Sequence, residues 1–232
     1  MKEKPKNILA LLLVSLLLPL SLHGQEAMHK LDCRFVFVGR ERPPVMINQG
    51  EENVETDIQV LPNRLTKPVQ CTATDGTIRF LSKEGQTHLA SARVGSDWRH
   101  AIIVFIPNPG KGGDKLPWRC YPIEDTSSNF PSAGAHVTNF HNEEVRFLIG
   151  EQRANLASGR SQGFSQPEQR DTFNMAPVVF QFKNLKGDWV TGKETMVKFT
   201  EGIRYLMFAY IDPKTKRPQV KVFQDFAKPA AG

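Results

Sequence analysis

Residues 99–106 read RHAIIVFI and residues 204–211 read RYLMFAYI, and these two stretches decide the fold. Each begins with arginine and continues as a short apolar run rich in β-branched and aromatic side chains, which is typical of a buried strand. The two stretches align when the sequence is shifted by 105 residues. Together they predict an all-β protein that contains an internal repeat.

Further segments align at similar shifts. Residues 45–48 align with residues 147–150, and residues 123–125 align with residues 223–225. Identical residues are few, so the repeat is inferred from the common order of apolar segments, the shared arginine and the shared acidic end. A chance match of short apolar runs is the alternative interpretation.

Short apolar runs bounded by turn residues continue beyond Leu31, and none keeps a 3.6-residue period over three turns. The one candidate helix, near Asn155, is expected to be short because Gly159 and Gly163 follow it. The predicted strands are 35–38, 45–47, 58–61, 78–81, 101–106, 137–140, 145–149, 178–182, 197–199, 205–211 and 220–223.

This pattern predicts two tandem, internally repeated β-sandwich domains of immunoglobulin-like type. The first is expected at residues 25–125 and the second at residues 133–232, with the polar stretch TSSN at 126–129 between them. In each domain, the longest strand and the last strand are expected to form a hairpin.

Residues 1–24 have the organisation of a secretory signal peptide. Lys2, Lys4 and Lys6 precede an apolar stretch at 8–22, which is shorter than the roughly 20 residues of a membrane-spanning helix. We expect cleavage after Gly24 and a secreted or periplasmic protein without a transmembrane span. An uncleaved N-terminal anchor is the alternative.

The charge pattern argues against a nucleic-acid partner. The chain carries a formal net charge of +6 at pH 7, and part of that excess lies in the leader. The other basic residues are scattered, whereas nucleic-acid readers concentrate lysine and arginine on one face or helix. The expected partner is therefore an unidentified protein or a glycan.

The chain has three cysteines, Cys33, Cys71 and Cys120. In an oxidising compartment we expect one disulfide among them and one remaining thiol, and three pairings are open. No CxxC or CxH spacing favours a metal site instead.

Two motifs with catalytic or metal-binding appearance have simpler explanations. Ser161 lies in a GxSxG sequence, but neither a buried strand before it nor a helix after it is evident, so a flexible loop is the favoured interpretation. His136 and His141 differ by five positions, and on a strand they would face opposite sides. We expect no metal site and no cofactor.

The tryptophans are the best candidates for ligand binding. Trp189 follows the turn-forming sequence KGD, where a ring can be exposed, and Trp118 is the second candidate. Core filling is the competing interpretation for both of them and for Trp98. Arg99 and Arg204 occupy the same position in the repeat, and salt bridges to Asp125 and Asp225 are expected.

These observations predict an exported, non-enzymatic β-sandwich protein that acts as a binding or envelope-associated module. A glycan-binding protein that uses Trp189 or Trp118 is the first alternative. An exported serine hydrolase that uses Ser161 is the second.

Overall fold

The computed structural model describes residues 27–39, 45–49, 55–59, 64–83, 87–108, 116–212 and 215–226. The expected leader and its cleavage site after Gly24 lie outside the described residues. The described residues form sixteen strands and no helix, which confirms the all-β prediction. In this part of the chain, no helix has the length and apolarity needed to cross a membrane.

Eight strands lie in each half of the chain. The first half contains β1 (Met28–Phe37), β2 (Met46–Gln49), β3 (Glu55–Ile58), β4 (Val69–Thr74), β5 (Thr77–Ser82), β6 (His88–Arg93), β7 (His100–Pro107) and β8 (Trp118–Glu124). The second half contains β9 (Ala135–Asn139), β10 (Val145–Ile149), β11 (Gln152–Leu156), β12 (Ser161–Phe164), β13 (Met175–Lys183), β14 (Trp189–Lys198), β15 (Ile203–Ile211) and β16 (Pro218–Phe226).

The strands pair in the same order in the two halves. In the second half, one sheet runs β11-β10-β13-β14 and the other runs β12-β9-β15-β16. In the first half, the corresponding orders are β3-β2-β5-β6 and β4-β1-β7-β8, joined at the β4–β5 hairpin. β1 pairs in parallel with β7, and β9 pairs in parallel with β15. The expected hairpins β7–β8 and β15–β16 are both present.

Each half has its own apolar core between its two groups of strands. In the first, Phe35, Phe80 and Phe105 meet with ring centroids 5.1 to 6.0 Å apart. In the second, Phe147 packs edge-on against Phe180 at 5.0 Å. Edge-to-face geometry suits the quadrupoles of the rings. In the first core the edge-to-face contacts join β5 to β1 and β7 of the other group of strands, and in the second core the contact joins the neighbouring strands β10 and β13.

A third apolar cluster joins the two halves, and we call it the seam cluster. Its buried members from the first half are Val36, Val38, Leu65, Ile102, Val104 and Ile123, and those that follow are Phe130, Leu206, Phe208 and Phe223. Side chains alternate along a strand, so residues of β7 and β15 that do not face their own core face this cluster. The outer sides of β1, β7 and β8 therefore pack against those of β15 and β16.

The alternation corrects the sequence alignment of β7 with β15. Ile103 of β7 faces its own core, as does Met207 of β15, whereas Phe208 faces the seam cluster. A shift of 105 residues aligns Ile103 with Phe208, which lie on opposite faces. A shift of 104 instead aligns Ile103 with Met207, and each of these faces the core of its own half. One residue makes this difference because successive side chains lie on opposite sides of a strand.

Two local predictions in the second half are wrong. The candidate helix near Asn155 is strand β11, since Ala154 and Leu156 alternate into the core and the strand pairs with β10. The expected loop around Ser161 is strand β12, which pairs with β9. Tertiary pairing overrides weak local preference in both short segments.

The seam cluster predicts a large effect of truncating Phe208, which is fully buried between Phe140 and Phe223. Phe208→Ala is expected to lower the free energy of unfolding by about 3–5 kcal/mol, because it leaves a cavity between the two halves. Urea unfolding of the mature chain measures this. Phe173→Ala, at a ring that is 74% exposed, is the control and should change little. Equal stability of the two variants would contradict the packing described.

Candidate functional site

Four charged side chains form a network at one end of the seam cluster. Arg34 of β1 donates from both terminal nitrogens to the carboxylate of Asp225 on β16, with one of these contacts at 2.8 Å. Arg204 of β15 contacts Asp125 at 2.8 Å and donates from Nε to Asp225 at 2.9 Å. Each arginine therefore reaches an aspartate on the other side of the seam.

The network is largely removed from solvent. The side chain of Asp225 is 3% exposed, and those of Asp125 and Arg204 are 11% and 12% exposed. Burial acts to raise the pKa of Asp225, but the hydrogen bonds and charges of Arg34 and Arg204 together lower it below its usual value. Burial likewise opposes the charged form of Arg34, and Asp225 and Asp125 outweigh it and raise its pKa. Asp225 and Arg34 are therefore held in their charged forms.

The sequence prediction for this network is right in one half. The expected salt bridge between Arg204 and Asp225 is present. Arg99 is exposed, and the second arginine of the network is Arg34. Arg34 directly precedes the apolar run 35–38, but β1 also carries Lys30 and Asp32, so nothing in the sequence singles Arg34 out.

A cleft of about 590 Å³ opens beside the network. Besides the four charged groups, its lining includes Asp32, Arg64, Lys67 and His100. Arg34 also donates from Nε to the carbonyl oxygen of Thr66, so the segment at the mouth of the cleft is tied to β1. The arrangement is suited to fixing the two halves against each other, because the buried charges already neutralise one another.

A second polar surface lies on the solvent side of the sheet β11-β10-β13-β14. We call it the outer face and define it by Asn155, Arg146, Gln181, Thr191, Lys183 and Trp189. The strand register places Arg146 opposite both Asn155 and Gln181. It also places Gln181 opposite Thr191 and Lys183 opposite Trp189. All six side chains therefore share one side of the sheet.

A ladder of hydrogen bonds crosses all four strands of the outer face. Arg146 donates from Nε to Asn155 Oδ1 at 3.1 Å and from a terminal nitrogen to Gln181 Oε1 at 3.3 Å. Gln181 then donates to the hydroxyl of Thr191 at 3.4 Å. Because each side chain is held by its neighbour, the ladder presents polar groups in a fixed pattern.

Trp189 is the first residue of β14 and lies at one end of the outer face, directly after the turn at 184–188. The guanidinium of Arg146 lies 4.0 Å from the centroid of its ring, and Lys183 Nζ lies 5.1 Å from it. Lys183 also pairs with Glu144 at 3.0 Å. The half-exposed indole and the two cations form a combined aromatic and basic platform.

The other two tryptophans lie against the core of the first half. Trp118 meets Phe37 edge-on, with ring centroids 5.2 Å apart, and Trp98 also packs against that core. The structure therefore separates the two predicted ligand-binding residues, since Trp118 fills space beside the core whereas Trp189 lies on an open sheet surface.

Ser161 begins strand β12, and its hydroxyl accepts a hydrogen bond from the Tyr121 hydroxyl at 2.9 Å. The glycines of its motif have structural reasons. Gly159 has φ of +73°, and a Cβ at Gly163 would lie 3.2 Å from the Asn129 carbonyl oxygen. A nucleophile elbow places its serine in a turn before a helix, and the described residues include no helix.

The two candidate metal-binding histidines belong to different local arrangements. His136 Nδ1 contacts the Asn129 carbonyl oxygen at 2.7 Å, and burial lowers the pKa of this imidazole. His141 Nδ1 accepts from the Glu143 backbone amide at 2.9 Å. Among the residues that the structure describes, no three His, Cys, Asp or Glu side chains form a group that could hold a metal ion.

The charge network predicts a specific dependence of stability on pH. Because the folded-state pKa of Asp225 is lowered, its contribution is fully present above the unfolded value, about 3.9, and is lost as the pH falls through the folded pKa. Asp225→Asn should flatten this acid limb of the stability curve and lower stability at pH 7 by about 3–5 kcal/mol. Urea unfolding across pH 2–7 measures both effects.

The matched control is Asp57→Asn, since Asp57 pairs with Lys83 at 2.8 Å but is 60% exposed. An exposed pair contributes about 1 kcal/mol or less. Equal losses at Asp57 and Asp225 would contradict a special role of the network.

No protein-family model matches the chain, and no curated protein matches it.

Proposed function

We propose that the chain is an exported, non-enzymatic protein of two repeated immunoglobulin-like β-sandwich domains that acts as a binding or envelope-associated module. The leader-like residues 1–24 support export to a periplasmic or extracellular location. The domains correspond to residues 25–125 and 133–232. The partner is a protein or a glycan rather than a nucleic acid.

The repeat is supported by the strand order. The eight strands of each half pair in the same spatial order. In this order β1 is equivalent to β9, β7 to β15 and β8 to β16. The shift of 104 residues between β7 and β15 also matches core-facing with core-facing side chains. Duplication of one ancestral unit is the simplest explanation for two halves that share both their strand order and their core-facing positions.

The observation that carries a binding role is the outer face. The inward sides of the sheets pack into the two cores, and the outward sides of β7 and β15 pack into the seam cluster. The outer face instead presents an indole, two cations and three hydrogen-bonding side chains to solvent. Rigid polar groups beside an aromatic ring are what a ligand-recognising surface requires.

Glycan binding is the second candidate, and the position of Trp189 favours it. A sugar ring packs its apolar face on an indole while amide and guanidinium groups hydrogen-bond its hydroxyls. At Trp189 this stacking would use the ring face that Arg146 does not cover. Trp189 and the ladder of Arg146 and Gln181 place both kinds of group on the same side of one sheet. Trp118 has no comparable setting, because it packs against Phe37.

The test is titration of the mature chain with a panel of neutral and acidic polysaccharides, followed by tryptophan fluorescence and calorimetry. Binding at the outer face should perturb the emission of Trp189. Trp189→Ala should weaken the calorimetric affinity at least tenfold, since a central tryptophan contributes about 2 kcal/mol or more. Phe173→Ala removes an exposed ring outside the outer face and is the control. Failure of every glycan to bind would exclude this candidate.

A non-enzymatic role also predicts the behaviour of Ser161. A serine-reactive phosphonate should leave the folded protein unlabelled, because the partner of the Ser161 hydroxyl is a tyrosine hydroxyl rather than a base. Intact-mass spectrometry before and after treatment measures this. Labelling that disappears in Ser161→Ala would instead support the hydrolase alternative.

A further inference from the structure

Two of the three cysteines meet inside the first core. β1 and β4 run antiparallel, with Leu31 opposite Cys71 and Cys33 opposite Val69. Cys33 and Cys71 are therefore diagonal neighbours on the same face of adjacent strands. Both side chains belong to the first core and are 0% and 1% exposed.

We propose that Cys33 and Cys71 form a cross-strand disulfide in the mature protein and leave Cys120 as its only thiol. The structure holds all three as free thiols, and it brings this pair together before any covalent bond is made. Export to an oxidising compartment supplies the condition under which such a pair is oxidised.

The strand order excludes the other two pairings. Cys120 lies opposite Phe105, and Phe105 lies opposite Phe37, which is four residues from Cys33 along β1. Two strand spacings and four residues correspond to about 10 Å across the sheet and about 13 Å along it. A disulfide requires Cα atoms closer than about 7 Å. The separation of Cys33 from Cys120 is about twice that limit, whereas diagonal neighbours on adjacent strands lie close to it. Cys71 lies one strand further from Cys120.

The chemistry is a two-electron thiol–disulfide exchange. The Cys33 and Cys71 thiols each lose a proton and together give two electrons to the disulfide of a thiol oxidant, which leaves as two thiols while one new S–S bond forms. Burial and the neighbouring thiol raise the pKa of Cys33, so its thiolate is scarce in the folded state. The exchange therefore takes place during folding, before the sandwich closes.

The bond would close a loop that contains β2 and β3. A cross-link between strands removes conformational freedom from the unfolded chain, and its effect grows with the loop that it closes. The oxidised protein should therefore have a higher Tm than the reduced protein. Cys120 is half-buried at the edge of the same core and takes no part in the loop.

The test is the full chain expressed with its leader in a bacterial host that has an oxidising periplasm. The purified protein is unfolded without reductant and alkylated with N-ethylmaleimide. We expect one adduct, at Cys120, and three adducts after reduction. Trypsin should release peptide 31–34 linked to peptide 65–79, since Lys67 precedes proline and is not cleaved.

A parallel experiment makes the outcome independent of export. The reduced chain is unfolded, refolded in a glutathione redox buffer and alkylated in the same way, with the same linked peptides expected. Cys120→Ser should keep the linked peptides and show no adduct without reductant. Cys33→Ser should show two adducts. Three adducts in the refolded protein, or a linked peptide that contains Cys120, would overturn the proposal.

Discussion

Burial of β7 and β15 on both faces is the constraint on which the rest of the structure depends. In β7, Ile103 faces its own core while Ile102 faces the seam cluster, and in β15 Met207 and Leu206 divide in the same way. A strand buried on both sides is apolar over most of its length, and its neighbours must supply two separate apolar surfaces. The two halves are thus packed back to back around a pair of central strands.

Apolar packing alone leaves the relative orientation of two such surfaces weakly specified, because the hydrophobic effect is not directional. The network of Arg34, Arg204, Asp125 and Asp225 adds direction at one end of the seam. Asp225 also pairs with Arg204 of its own half, but the contacts of Arg34 with Asp225 and of Arg204 with Asp125 form only when the two halves meet. Losing them would leave buried charges incompletely paired, which is costly. The network therefore favours one register of the two halves over sliding alternatives.

Packing on the inner sides also decides which surface is free for a partner. The outer face of β11-β10-β13-β14 keeps its polar side chains in solvent, and the ladder around Arg146 holds them in place. A partner meeting this face would not have to pay the entropy of ordering Gln181 and Arg146 separately. The proposed disulfide between Cys33 and Cys71 lies in the other half and affects stability rather than recognition.

The amino-acid sequence alone predicted the all-β class, the central strands β7 and β15, the hairpins that they form and the pairing of Arg204 with Asp225, since these follow from local apolar runs and short chain separations. It predicted only the last residues of the ten-residue strands β1 and β14 and none of β4 and β6. It could not show that β11 and β12 are strands, because their pairing with β10 and β9 outweighs weak local preferences. Only the tertiary structure placed Arg34 beside Asp225, distant in the chain, and Cys33 beside Cys71. Side chains alternate along a strand, so the sequence determines which side of the sheet each residue faces. Which residues of other strands contact that side depends on how the strands pair and how the sheets pack.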